Sequence, residues 1–188
     1  MPKIAIIYFS QTDVTAQLAL AIAAGAEQQL ETEVFSYRIK GEDLQAGRFV
    51  NHALFSTLEA CDAIIFGSPT YMGGVAAQFK AFADASSETW CEQKWANKIA
   101  AGFTSGGALN GDQSSTLQYL NTLASQHGMI WLGLDKTTES GELKLNRLGT
   151  QLGIASQGID GKLHPADYAT GEYLGARVAR LANQLSIQ

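Results

Sequence analysis

The chain has 188 residues, 46% of them hydrophobic, a formal net charge of −5 and a pI near 5.1. That length and apolar content suit one compact domain over residues 1–188. The acidic balance, with no run of Lys or Arg, argues against a nucleic-acid groove or an anionic membrane surface as partner. No apolar stretch approaches a membrane span and the amino end lacks signal-peptide order, so the expected location is the cytoplasm. Cys61 and Cys91 lack metal-ligand spacing and the three histidines are scattered, which predicts no metal site and two reduced, structural thiols.

The chain opens on the apolar run Ile4 to Tyr8, followed by Ser10-Gln11-Thr12-Asp13-Val14-Thr15 and an amphipathic pattern over Val14 to Leu30. The hydrophobic period changes within a few residues from buried strand to helix. A helix amino end presents unpaired N–H groups and partial positive charge, so a phosphate binds there without a basic side chain. None occurs between Ser10 and Thr15. Hydroxyls at Ser10, Thr12 and Thr15 converge on one anion in this reading, whereas a plain helix cap needs one. The nucleotide-triphosphate loop and the three-glycine dinucleotide fingerprint are both absent.

Further strand-like runs follow at Glu33 to Tyr37, Ala63 to Gly67, Ile99 to Phe103 and Met129 to Leu134. Helices are predicted around Leu54 to Glu59, Val75 to Ser86, Ser114 to Gln126 and Tyr168 to Leu185. Near-continuous apolar strands imply burial on both faces, as in a parallel sheet sandwiched by helices. The polar segment Asp135 to Gly149 is longer than an ordinary connection and reads as an excursion over the site. In such sheets ligands lie beyond the carboxyl ends of the strands. Pro69-Thr70-Tyr71-Met72-Gly73 follows the third strand there, and Thr104-Ser105-Gly106-Gly107-Ala108-Leu109-Asn110-Gly111 follows the fourth. Glycines admit close backbone approach and Tyr71 and Met72 offer surface for a ring. Read as turns, these loops are ordinary punctuation; read with the phosphate loop, they describe a mononucleotide pocket.

These residues resemble the flavodoxin superfamily, and within it the WrbA-like NAD(P)H:quinone oxidoreductases. Ser10 to Thr15 is similar to the flavodoxin phosphate loop and Gly67 to Gly73 to the loop that holds the isoalloxazine ring. Gln78 to Asp84, Trp90, Lys98 to Ala100, Phe103 to Ser105, His127-Gly128-Met129, Asn146 to Gly149 and His164 to Asp167 follow the order of the WrbA-like group. The resemblance implies a flavodoxin-like α/β three-layer sandwich, with a five-stranded parallel sheet of order 2-1-3-4-5 and helices on both faces. It implies FMN as cofactor, NADH or NADPH as donor, and ping-pong two-electron reduction of a quinone. It implies backbone donors at Tyr71 to Gly73 on the pyrimidine side of the ring, His127 as the proton-bearing catalytic group and Trp90 as a substrate wall. A homodimer or homotetramer is implied too.

The same residues leave other readings open. His127 serves equally as a polar end to a helix, and Trp90 as a packing residue. A flavodoxin-type electron carrier docking on a redox protein, or a flavin-free interaction protein, are the alternatives to the enzyme. Asp13 stands where the family usually has glycine, placing a carboxylate beside the phosphate site, and Thr12 stands where related quinone reductases often carry an aromatic residue.

Overall fold

A computed structural model of the chain describes residues 1–109 and 111–186, without the side chain of Ser186. Five principal strands form the sheet: β1 (Lys3–Phe9), β2 (Glu33–Ile39), β3 (Ala63–Tyr71), β4 (Ile99–Gly106) and β5 (Ile154–Ile159). They pair in parallel in the order 2-1-3-4-5, with Ile4 beside Val34 and Ala63, Ala63 beside Ile99, and Phe103 beside Ile154. A short antiparallel strand, Lys162–Leu163, adds to the outer edge of β5. The helices are α1 (Val14–Glu27), α2 (His52–Glu59), α3 (Ala77–Ala85), α4 (Ser87–Cys91), α5 (Gln113–Gln126) and α6 (Pro165–Ser186). The expected flavodoxin-like architecture is the architecture observed.

Strand β1 shows why both faces are apolar. Ile4, Ile6 and Tyr8 belong to one buried cluster with Leu18 and Ile22 of α1 and Leu174 and Val178 of α6. Ala5, Ile7 and Phe9 belong to the other, with Leu58, Phe79, Phe82, Leu117 and Leu120 from α2, α3 and α5. Alternate side chains point to opposite faces, so a strand covered on both must be apolar at every position. The second cluster is aromatic-rich, with Phe66, Phe79, Phe82 and Trp95 all below 2% exposure. On the first face α1 and α6 pack with almost no space between backbones. A Cβ at Gly25 would fall on the carbonyl of Glu172, and one at Gly175 on that of Ile22.

The fifth strand is the main departure from expectation. Met129 to Leu134 contributes only the two-residue strand Ile130–Trp131, which pairs with Ile99 and Ala100 at the start of β4. The chain then leaves the sheet and returns as β5 beside the second half of β4. One sheet position is thus filled by two segments separated by the polar excursion. Apolar periodicity shows a strand beginning at Met129 but not that it resumes, because Ile154–Ile159 contains Ser156, Gln157 and Gly158 and lacks a continuous apolar run.

The excursion does not lie across the loops as expected. Asp135 accepts from the Tyr173 hydroxyl and pairs with Arg177, and the Asn146 N–H donates to the Thr170 hydroxyl, all along α6. Its end reaches the carboxyl edge of the sheet, where Arg147 pairs at 2.8 Å with Asp167, which is 2% exposed. Asp167 also accepts from the Gln157 N–H. Four helical ends shift by a few residues: α1 stops at Glu27, α2 starts at His52, α3 starts at Ala77, and α6 starts at Pro165, the favoured first helical residue. The short α4 is an element that periodicity misses. Cys61 is buried but Cys91 is exposed, so only the first thiol is structural; burial pushes the Cys61 thiol up.

Candidate functional site

Three loops meet at the carboxyl edge of the sheet, and hydroxyl-to-hydroxyl bonds join them. The loop after β1 is tied to β4 by Thr15 Oγ1 and Ser105 Oγ at 2.7 Å, both residues buried. The end of β3 is tied to β4 and α5 through Thr70, whose Oγ1 lies 2.8 Å from Oγ1 of Thr104 and of Thr116. These contacts draw Ser10 to Thr15, Pro69 to Gly73, and Thr104 to Leu109 with Gly111 into one cluster. Asn110, also expected in the fourth-strand loop, lies outside the described residues.

In the first loop the hydroxyls of Ser10, Thr12 and Thr15 do not share one environment. Ser10 Oγ accepts from Ala16 N–H at 3.2 Å, which leaves its own hydrogen to donate elsewhere. Thr15 is committed to Ser105, while Gln11, Thr12 and Asp13 are exposed. Val14 is 5% exposed and its branched end fills the space where a Cβ at Gly158 would stand, so this residue packs the loop down and offers only its backbone. Asp13 occupies the N-cap of α1 with φ 62° and makes no side-chain capping bond. Ala16 N–H is thus taken by Ser10, and the other first-turn amides lie at the positive end of the helix.

A basic group does reach this loop, from a different strand. Arg38 lies opposite Tyr8 in the β1–β2 register, and its Nη2 donates to the Ser10 carbonyl at 2.7 Å and pairs with Asp13 Oδ1 at 2.8 Å. Sequence reasoning missed Arg38 because a single Arg in a strand has no pattern. Only strand register places it beside residue 13. Burial pushes the nearby Tyr8 phenol up, an effect opposed by the Arg38 charge.

The third-strand loop is a tight hairpin. Tyr71 pairs with Gly74 and Thr70 with Val75, around Met72 at φ 48° and Gly73 at φ 75°. Two successive positive φ values are the type I′ hairpin geometry, which Met72 adopts at some cost and Gly73 without any. Met72 is fully exposed and Tyr71 is 43% exposed, so both side chains are available at the rim. In the fourth-strand loop the organiser is Gln113, which is 4% exposed. Its Nε2 donates to the carbonyls of Ala108 and Ser156 and its Oε1 accepts from Gly111 N–H. Gln157 Nε2 donates to the Gly107 carbonyl. Neither glutamine stands out in the sequence, since an amide after a glycine loop reads as solvent-facing.

Whether these loops fit a flat ring can be tested on their glycines. A Cβ added at Gly74 or Gly107 would meet nothing within 4 Å, and neither residue has a positive φ. Their lack of a side chain is required by neither packing nor conformation within the chain, which is the pattern of a backbone that another molecule approaches closely. The amide-lined loop and these two open glycines fit a phosphate joined to a ring system.

The structure does not bring His127 or Trp90 to this cluster. His127 caps the far end of α5, three residues before Ile130, which pairs with the first residue of β4. That is the amino edge of the sheet, opposite the loops. The residue is 1% exposed, its ring lies tilted against Trp95 with centroids 4.2 Å apart, and it bonds Ser86 Oγ through Nε2 at 2.9 Å. Burial pushes its pKa down to about 4. In a single copy of the chain the family-implied proton donor is a buried imidazole at the edge opposite the loops. Trp90, on α4, is 45% exposed, and its carbonyl accepts from Gln93 Nε2, which also donates to the carbonyl of Gln126 at the end of α5. It belongs to the same amino edge. Helices that follow parallel strands run back along the sheet, so their final residues finish at the edge opposite the ligand loops.

Sheet order, loop placement and the phosphate-type junction after β1 together define a flavodoxin-like flavoprotein. Residues 2–136 match the NADPH-dependent FMN reductase family, and the chain belongs to it, within the flavodoxin-like WrbA group. The crystal structure of a WrbA-like flavodoxin from Agrobacterium tumefaciens is 36% identical, covers 98% of this chain and 99% of its own, and superposes with a TM-score of 0.77. Flavodoxin FldP of Pseudomonas aeruginosa is 36% identical over 98% of this chain and 99% of its own length. An NAD(P)H dehydrogenase (quinone) of Archaeoglobus fulgidus is 33% identical over 98% of this chain and 100% of its own. Membership makes the protein an oxidoreductase of the flavin class, with FMN as cofactor and NAD(P)H as electron donor. Among the described residues no group of three or more His, Cys, Asp or Glu is placed to hold a metal, and no helix is long and apolar enough to cross a membrane.

Proposed function

We propose that the protein reduces quinones with NAD(P)H by a ping-pong exchange at FMN held in the three-loop cluster. The observation that carries this reading is the joining of all three loops by the Thr15–Ser105 and Thr70–Thr104 hydroxyl bonds at one edge of the sheet. FMN supplies a ring that accepts a hydride from the nicotinamide and passes two electrons to the acceptor. The chain supplies position. Amides from Gln11 to Thr15 face the phosphate, backbone donors of Tyr71 to Gly73 face the ring edge, and the loop from Thr104 to Gly111, fixed by Gln113, closes the other side. Exposed Tyr71, Met72 and Leu109 form an apolar rim suited to a flat quinone or nicotinamide. Thr12, exposed and small, leaves the nicotinamide side of the loop open.

The same reading makes residues 1–188 one FMN-binding domain, active in the cytoplasm as a homodimer or homotetramer. Its support is the end-to-end match with the relatives and the exposed apolar rim, which a neighbouring subunit would cover.

A second reading has its own support. The relative from Pseudomonas aeruginosa is called a flavodoxin, and a net charge of −5 suits docking on a basic redox protein. Anaerobic addition of NADH or NADPH to FMN-loaded protein, followed by benzoquinone, separates the two. Bleaching of the flavin by the nicotinamide and recolouring by the quinone supports the reductase. A flavin that neither nicotinamide bleaches, but that a protein donor reduces, overturns it in favour of the carrier.

A further inference from the structure

The β1 loop carries a carboxylate at the position least suited to it. Asp13 stands at the amino end of α1 where the helix presents its first-turn amides, and a phosphate placed there would meet a like charge nearby. Its backbone is left-handed at φ 62°, a conformation that Asp and Asn tolerate better than other side chains but that glycine adopts most easily. Asp13 contributes no capping bond in return. What its carboxylate does have is Arg38, 2.8 Å away, and the same guanidinium nitrogen holds the Ser10 carbonyl at 2.7 Å. Arg38 comes from the neighbouring strand and is fixed in register with Tyr8 at the root of the loop.

We infer that Arg38 is a positioning residue for the FMN phosphate, acting through Asp13: it neutralises the Asp13 carboxylate and fastens the loop at Ser10, so that the helix amides present net positive potential to a dianion. This rests on the placement of the phosphate in the β1 loop proposed above. The pair is partly exposed, with Arg38 at 40% and Asp13 at 66% side-chain exposure. Its value as a stability bond is therefore small. The effect on a doubly charged ligand is larger, because removing Arg38 leaves an uncompensated negative charge on the loop that would hold the phosphate, and a dianion feels it twice over. The chain keeps Asp13 and Arg38 as a matched couple.

The test is a double-mutant cycle on stripped protein, titrated with FMN and separately with riboflavin, which lacks the phosphate, and followed by flavin fluorescence. Wild type is expected to prefer FMN. Arg38→Ala is expected to lose about tenfold in FMN affinity and none for riboflavin. Asp13→Asn, which tolerates the left-handed backbone, is expected to bind FMN at least as tightly as wild type. The double variant should return to within about twofold of Asp13→Asn. Far-UV circular dichroism confirms that each variant is folded. If the double variant binds FMN as weakly as Arg38→Ala, Asp13 does not mediate the effect of Arg38 and the inference is overturned. An unchanged FMN affinity in Arg38→Ala overturns it as well. If wild type binds riboflavin as tightly as FMN, the phosphate-loop reading itself falls, and this inference with it.

Discussion

The two edges of the sheet are built from similar materials and do opposite things. At the carboxyl edge, hydroxyls, amides and glycines are tied together just enough to leave backbone donors and open space facing outward. At the amino edge, Ser86, Trp95 and His127 are packed away from water: the imidazole lies against Trp95, is bonded through Nε2 and desolvated, and among the described residues its Nδ1 and Nε1 of Trp95 are buried without a hydrogen-bond partner. A histidine is informative only through what surrounds it. The same residue beside the loops would be a proton carrier, and here it is part of the aromatic core formed with Phe82 and Phe66 through Trp95.

Replacing the centre of the amino-edge core is the harshest way to probe the contrast. Trp95 is fully buried, and Trp95→Ala is expected to cost about 3–5 kcal/mol in denaturant unfolding. At temperatures where the variant stays folded its FMN dissociation constant should match wild type. A parallel loss of FMN affinity would show that the two edges are coupled.

The His127 environment predicts a pH dependence next in size. Its folded pKa lies near 4, below the ordinary 6.5, so the native state favours the neutral ring. Stability from this group is fully present above about pH 6.5 and declines as pH falls toward 4, by on the order of 3 kcal/mol. Urea unfolding of wild type and His127→Leu between pH 7.5 and about pH 4 should show the variant losing that slope. A quinone-reduction pH profile that loses a limb in His127→Leu, with FMN binding unchanged, would instead restore the imidazole to catalysis and break the distinction between the edges.

At the carboxyl edge the signature is reversed, with binding changed and stability kept. Gly107→Val places a side chain where the chain itself has open space. Unfolding free energy should shift by no more than about 0.5 kcal/mol, while FMN affinity falls at least about tenfold, or 1.4 kcal/mol. Retained affinity would remove Gly107 from the ring site. The smallest effect is expected at Trp90, which is exposed on α4. Trp90→Ala should change FMN affinity not at all and stability by about 0.5 kcal/mol or less. A raised KM for quinone in this variant would mean that a neighbouring subunit carries Trp90 to the site.

Much of this was legible in residue order. Uninterrupted apolar strands, helical periods between them and Gly-rich segments after the third and fourth strands identify a doubly covered parallel sheet and the edge where its ligand sits. These are local signals, set by side-chain alternation and backbone conformation within a few residues. The fifth strand escaped because its second half is polar where it faces the loops, with Ser156 donating to the Thr104 carbonyl and Gln157 to Gly107. Tertiary structure alone decided the rest. Strand register brought Arg38 to Asp13, helix length and direction carried His127 and Trp90 to the far edge, and burial turned Gln113 into a loop organiser. Each depends on residues distant in the chain becoming neighbours, which is where hydrogen bonds and desolvation, rather than residue type, assign a side chain its chemistry.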